Sequence, residues 1–186
     1  MLKYAITGNI ASGKSQVEIL LAKKGYVVYD ADSIAHEILD TITDFYGYDV
    51  FTNGKIDRKK LGELVFKNND LKTKLEKYIH PKVKTKILEI FKKHKNDNAV
   101  FVSVPLLFEA GFTNLFDKIL FISAPEEIRL NRLMQRNNLT KEEAQIRIDA
   151  QDNEEYKIKQ SSYIINNFGD LAELQEKVDI FCSQFI

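Results

Sequence analysis

The sequence holds a single cysteine, Cys182, so no internal disulfide can form, and a reducing compartment is expected. That thiol falls in the last helical pattern and is expected to pack as a small apolar group. Charge of one sign is also missing. The 27 basic residues balance 27 acidic ones, which removes any global reason to expect nucleic acid or a membrane surface as partner. No apolar run approaches the roughly 18 residues of a membrane span. The first residues lack the basic start and cleavage site of a secretion signal, and a cytoplasmic location is the expectation. His36, His80 and His94 show no metal-ligand spacing. There is no internal repeat, no low-complexity linker and no Asn-Lys-x-Asp guanine motif. Nothing sets the oligomeric state, and a monomer is the default.

What remains is the composition of an ordinary globular chain. Its 186 residues are 44% apolar and 29% charged, enough for one domain with its own core. The charge is unevenly spread. Residues 55–95 carry 14 Lys/Arg against 5 Asp/Glu, and residues 137–186 carry 5 against 10. A solvated helical face accounts for this; so does a field that attracts a polyanion.

Leu2-Lys3-Tyr4-Ala5-Ile6-Thr7 predicts a buried strand running into glycine. A helix follows, with Val17, Leu20 and Leu21 on one face and Gly25 as its C-terminal stop. Tyr26-Val27-Val28-Tyr29 predicts a second strand, ending at Asp30-Ala31-Asp32. Residues 41–95 read as mainly helical, with a kink or break at His80-Pro81. The apolar runs 99–104 and 119–122 suit parallel strands covered on both faces. Pro125 opens a helix, Thr140 to Glu143 has capping-box spacing, and Tyr163-Ile164-Ile165 is a last short strand. Asp170 caps a final helix carrying Leu171, Leu174, Val178, Phe181 and Phe185. Alternating strands and helices predict an α/β fold with a parallel sheet. Its ligands belong at the carboxyl ends of the strands.

Gly8-Asn9-Ile10-Ala11-Ser12-Gly13-Lys14-Ser15 matches G-x-x-x-x-G-K-[ST] at every required position, with a strand before it and a helix after. Such a loop turns backbone N–H groups inward around a polyphosphate, and the helix adds its positive end. The expected ligand is ATP with Mg²⁺. Lys14 would bridge the β- and γ-phosphates and Ser15 would be the metal ligand. Asp32 is placed to act as general base toward an attacking hydroxyl; Asp30 offers the same chemistry, or a helix cap. Arg129, Arg132 and Arg136 share one helix face, fit either to clamp phosphate oxygens or to pair with Glu126 and Glu127 in solvent. Residues 129–152 predict a lid that closes over ATP. One expected part is missing: no magnesium-binding aspartate ends the strand before Pro105.

These residues together resemble the dephospho-coenzyme A kinases over almost the whole chain. The resemblance is carried by the loop, by Asp30-Ala31-Asp32, by Asp57-Arg58-Lys59-Lys60-Leu61, by Leu75 through His80-Pro81, and by Pro105-Leu106-Leu107-Phe108-Glu109. The arginine helix, Arg147, Gln151, Asn167 and Gly169 also correspond. It implies a phosphate-loop nucleoside triphosphate hydrolase fold of five parallel strands flanked by helices. The core would be residues 1–39, 96–128 and 160–186, with a helical substrate region at 40–95. The implied reaction moves the γ-phosphoryl of ATP to the ribose 3′-hydroxyl of dephospho-coenzyme A, the last step of coenzyme A synthesis. Asp32 would be the base, with Lys14, Arg132 and Arg136 catalytic. Residues 8–16, including Gln16, would hold ATP. Thr7, Asp32, His80 and the Pro105–Glu109 stretch would hold the acceptor. The chain departs from the family at Asn9 and Ala11, where glycines are usual, at Gln16, and at Ser161-Ser162. Two other readings share parts of this pattern: a nucleotide or nucleoside kinase, and an ATP-driven binding switch that needs no substrate base.

Overall fold

Seven residues, Leu2–Gly8, form β1, buried from Tyr4 onward. The chain continues through α1 (Lys14–Lys23), β2 (Val27–Asp30), α2 (Ala31–Leu39), β3 (Phe51–Thr52), β4 (Lys55–Ile56), α3 (Arg58–Lys67) and α4 (Asn69–Lys93). It then forms β5 (Ala99–Ser103), β6 (Lys118–Ser123), α5 (Glu126–Asn137), α6 (Lys141–Asp149), α7 (Glu154–Lys159), β7 (Tyr163–Asn166) and α8 (Leu171–Ser183). The computed structural model describes residues 1–151 and 153–184; Phe185 and the last residue of the expected lid, Asp152, lie outside them. Two compact units emerge, Met1–Tyr29 with His94–Ile186, and Asp30–Lys93.

The first unit is built on a five-stranded parallel sheet in the order β2-β5-β1-β6-β7. β1 lies at its centre, with Ile6 opposite Ser103 on one side and Leu120 on the other. Alternate residues point to opposite faces of a sheet. Tyr4, Ile6, Phe101, Leu120 and Ile122 pack with Val17 and Leu21 of α1 and with Leu174, Val178 and Phe181 of α8. The intervening Ala5, Val100, Val102 and Phe121 are fully buried too. Both faces are therefore covered, which is why the strands read as continuous apolar runs. Tyr4 stacks on Phe101 with ring centroids 4.9 Å apart. Expected caps form at Thr140, a full capping box, and at Asp170. Gly25, at φ 87°, takes the left-handed turn that ends α1.

The second unit has its own core of Leu39, Ile42, Phe45, Val50, Ile56, Leu61 and Leu71. The stretch 41–95 is mainly helical, as expected, through α3 and α4, and it adds a hairpin that the sequence reading did not name: β3 and β4, whose turn residues Asn53 and Gly54 have φ of 51° and 73°. Asn-Gly favours that turn, since both central residues need positive φ. Of the two outcomes expected at His80-Pro81, a kink or a break, the break does not occur: α4 runs through Pro81 for 25 residues. An interior proline costs about 3 kcal/mol, and burial of Leu71 before it and of Val83, Ile87 and Phe91 after it offsets that.

Candidate active site

The glycine loop leaves the end of the central strand and is held from several sides. Gly13 adopts φ 97°, and a Cβ there would collide with the side-chain amide of Asn167. That amide donates to the Ser12 carbonyl at 2.7 Å. Arg132 Nη1 donates to the same carbonyl at 3.3 Å, and its Nη2 to the Asn167 carbonyl at 3.3 Å. The Ile10 N–H donates to Gln151 Oε1 at 2.7 Å. Ala11 is left-handed at φ 60° although it carries a Cβ, and Ile10 and Ala11 pack against the apolar cluster of Leu130, Leu133, Ala144 and Ile148. The Ser12 hydroxyl is buried and has no partner among the described residues.

Asn9 enters a buried polar network. Its amide nitrogen donates to Glu154 Oε2 at 3.3 Å, and its oxygen accepts from Lys157 Nζ at 3.3 Å. Lys157, only 2% exposed, also pairs with Glu109 at 2.7 Å. Ser123 donates to Glu154 at 2.5 Å. A side chain at position 9 therefore ties the loop to α7 and to Glu109.

The lysine and serine that end the motif begin α1. Lys14 Nζ bonds Glu18 Oε1 at 2.6 Å and also Ser103 Oγ. Ser15 is exposed in the first turn. The loop and this turn can present backbone N–H groups and an ammonium to an anion.

The three arginines of α5 separate by role. Arg129 is buried, its Nε donating to the Ala124 carbonyl at 3.1 Å and its Nη2 lying 3.7 Å from Glu154. Its Nη1 is buried with no partner among the described residues. Arg132 grips the loop as described. Arg136 is exposed and donates to Asn137 Oδ1 at 2.9 Å. A cavity of about 480 Å³ beside the loop is lined by Asn9, Arg129, Gln151, Glu154 and Phe168 among others.

The Pro105–Glu109 stretch follows β5. Thr7 Oγ1, buried, donates to the Pro105 carbonyl at 3.4 Å. Leu107 is wholly buried and packs as core, whereas Leu106 is exposed. Phe108 meets Tyr156 edge-on at 6.1 Å, and Glu109 holds Lys157.

A family model described as dephospho-CoA kinase matches residues 3–173. The chain belongs to the dephospho-CoA kinase family. A dephospho-CoA kinase of Fusobacterium nucleatum is 42% identical over 184 residues, covering 95% of each chain. One of Listeria monocytogenes is 35% identical over 191 residues, covering 97% of this chain and 96% of its own. Among solved structures, the dephospho-CoA kinase of Campylobacter jejuni superposes with TM-score 0.77 at 36% identity, covering 98% of this chain and 96% of that one. A shikimate kinase of Bacteroides thetaiotaomicron, at TM-score 0.62 and 16% identity, shares the fold.

Asn9 and Ala11, the two loop positions where the resemblance led us to expect glycine, now have distinct accounts. Asn9 is used, by the network with Glu154 and Lys157, whereas Ala11 keeps the backbone shape that glycine adopts without strain. Gln16 is exposed, its N–H bonding the Gly13 carbonyl at 3.0 Å. Glu18, Ser103, Glu154 and Lys157 escaped the sequence reading. The last two lie in a short charged segment that reads as a solvated helix face.

In the second unit Asp30 is spent as a cap: its carboxylate accepts from the Asp32 N–H at 3.1 Å and from the Ser33 hydroxyl at 3.1 Å. Asp32 is exposed in the first turn of α2. His80 is half-buried on α4. A separate cavity of about 340 Å³ is lined by Ile42, Phe45, Tyr46, Lys74, Leu75 and Tyr78 among others. Lys74 Nζ sits 4.9 Å from the Tyr46 ring centre, and Lys82 Nζ 3.6 Å from that of Tyr78.

Proposed function

We infer that this chain transfers the γ-phosphoryl of ATP to the ribose 3′-hydroxyl of dephospho-coenzyme A, releasing ADP and coenzyme A. The observation that carries this reading is the family match over residues 3–173 on an intact phosphate loop. In it, ATP lies on residues 8–16, and backbone N–H groups with Lys14 meet the phosphates. Arg132 and Arg136 neutralise charge that develops on the transferred group. Asp32 takes the hydroxyl proton; its exposure and the capping by Asp30 support that division of labour. Residues 129–152 act as lid. The acceptor is held by residues 40–95 with Thr7, His80 and the Pro105–Glu109 stretch. The aromatic cavity beside Lys74 suits a ligand with apolar and anionic parts.

Magnesium fits the donors present. No group of three or more His, Cys, Asp or Glu able to hold a metal occurs among the described residues. The protein would offer the Ser15 hydroxyl, a hard oxygen suited to a cation that takes most of its ligands from phosphates and water. When bound, magnesium supplies Lewis-acid neutralisation of the phosphates. No described helix is long and apolar enough to cross a membrane. In this reading the enzyme works in the cytoplasm on small-molecule substrates, as a monomer and without nucleic acid.

The test is ADP release with dephospho-coenzyme A against nucleoside monophosphates. Turnover is expected only with the former, and the reverse preference would refute the assignment. Asp32→Asn should lower kcat by about 10²–10⁴-fold while ATP affinity stays level.

A further inference from the structure

Phosphate-loop enzymes commonly hold magnesium between the loop's Ser/Thr hydroxyl and an aspartate from a neighbouring strand. In this chain the strand beside β1 ends in Ser103, which carries no charge. The structure brings a carboxylate to that strand end from another element. Glu18 Oε1 accepts from Ser103 Oγ at 2.7 Å and from Lys14 Nζ at 2.6 Å. Glu18 sits three residues after Ser15 on α1, so the two share a helix face. Its side chain is 19% exposed and that of Lys14 is 16%, so the pair is sheltered yet reachable.

Building on the kinase reading above, we propose that Glu18 is the carboxylate of the magnesium site, with Ser103 as the residue that orients it. Without nucleotide, the Lys14 ammonium neutralises Glu18. A polyphosphate on the loop draws Lys14 away, because several phosphate oxygens outcompete one carboxylate for the ammonium. Glu18 is then a sheltered anion lacking its cation, one turn from the Ser15 hydroxyl. Leaving it unpaired is costly, and a divalent cation arriving with the phosphates restores the balance. Glu18 thus links two events: Lys14 capture by phosphate and cation uptake.

The experiment measures Mn²⁺ binding to the enzyme–ADP complex by electron paramagnetic resonance, and ADP binding without metal by calorimetry. Glu18→Gln should weaken Mn²⁺ binding by about tenfold or more while metal-free ADP binding stays level or tightens, because Lys14 is released. Glu18→Gln with Ser103→Asp should recover most of the Mn²⁺ affinity, since a carboxylate then stands on the strand end itself. Two results overturn the proposal: Mn²⁺ affinity unchanged in Glu18→Gln, which leaves Glu18 only a resting place for Lys14, or a loss that the double variant does not recover. Lys14→Ala separates this failure from failure of the kinase reading, because metal-free ADP binding that survives it would count against the loop assignment itself.

Discussion

The side-chain amide of Asn167 donates to the Ser12 carbonyl at 2.7 Å and fills the space where a Cβ on Gly13 would stand. One residue from the end of the sheet thus sets the curvature of the phosphate loop. Asn167→Ala should cost about 1–2 kcal/mol of nucleotide binding, close to a tenfold rise in Kd, because Arg132 still holds the same carbonyl. Gly13→Ala should be worse, combining a left-handed φ with a collision, and should abolish measurable binding. Calorimetric titration with ADP reads both.

Ala11 holds a left-handed backbone with a Cβ in place. Such a residue is strained by roughly 1–2 kcal/mol, partly offset by the smaller entropy of its unfolded state relative to glycine. Ala11→Gly should therefore raise unfolding stability by up to about 1 kcal/mol. A urea titration of both proteins checks the sign.

Lys157 is a buried cation satisfied by Glu109 and Asn9. Lys157→Met should destabilise the fold by about 3 kcal/mol, since one charge of a sheltered pair is left alone. Lys157→Met with Glu109→Gln should recover a large part of that. A double-mutant cycle in urea measures the coupling, and a cycle that closes at zero would dissolve the pair.

Burial raises the Cys182 thiol above its ordinary pKa, against smaller opposing effects of Lys24 and Tyr26. Alkylation should be slow in the native protein at mildly alkaline pH and fast in denaturant. The folded state holds the thiol proton where the unfolded chain releases it. Stability from this group is thus full below the ordinary thiol pKa and falls as pH rises toward the folded one. Cys182→Ala should flatten that alkaline decline, as followed by urea midpoints at stepped pH.

The loop and the strands around it were legible because their signals are local: a motif of fixed spacing, apolar runs and capping residues. The order of those strands in the sheet was not, because it joins segments distant along the chain. The hairpin at Asn53-Gly54 carried a local signal too, but reading the stretch 41–95 as mainly helical, without resolving its parts, passes over it. At Pro81 the break that was one of the two expectations does not occur, because the burial of Val83, Ile87 and Phe91 outweighs the proline's propensity. The arginines of α5 share a face by spacing, yet spacing could not say that Arg129 turns inward to Ala124 and Glu154 while Arg136 stays in solvent. Glu154 and Lys157 were invisible for a different reason. They become a site only through residues distant along the chain, Asn9 and Glu109.

Ile10 and Ala11 give the phosphate loop an underside of hydrocarbon, set into the apolar cluster between α5 and α6. A glycine-containing loop free in water would lose much of its chain entropy on closing around an anion. Here that ordering has already occurred during folding, driven by side chains with no affinity for phosphate. The loop's affinity is consequently inherited from its floor: enlarging or hollowing that cluster at Leu133 or Ala144 would alter nucleotide binding from beneath, without touching a single phosphate-facing group.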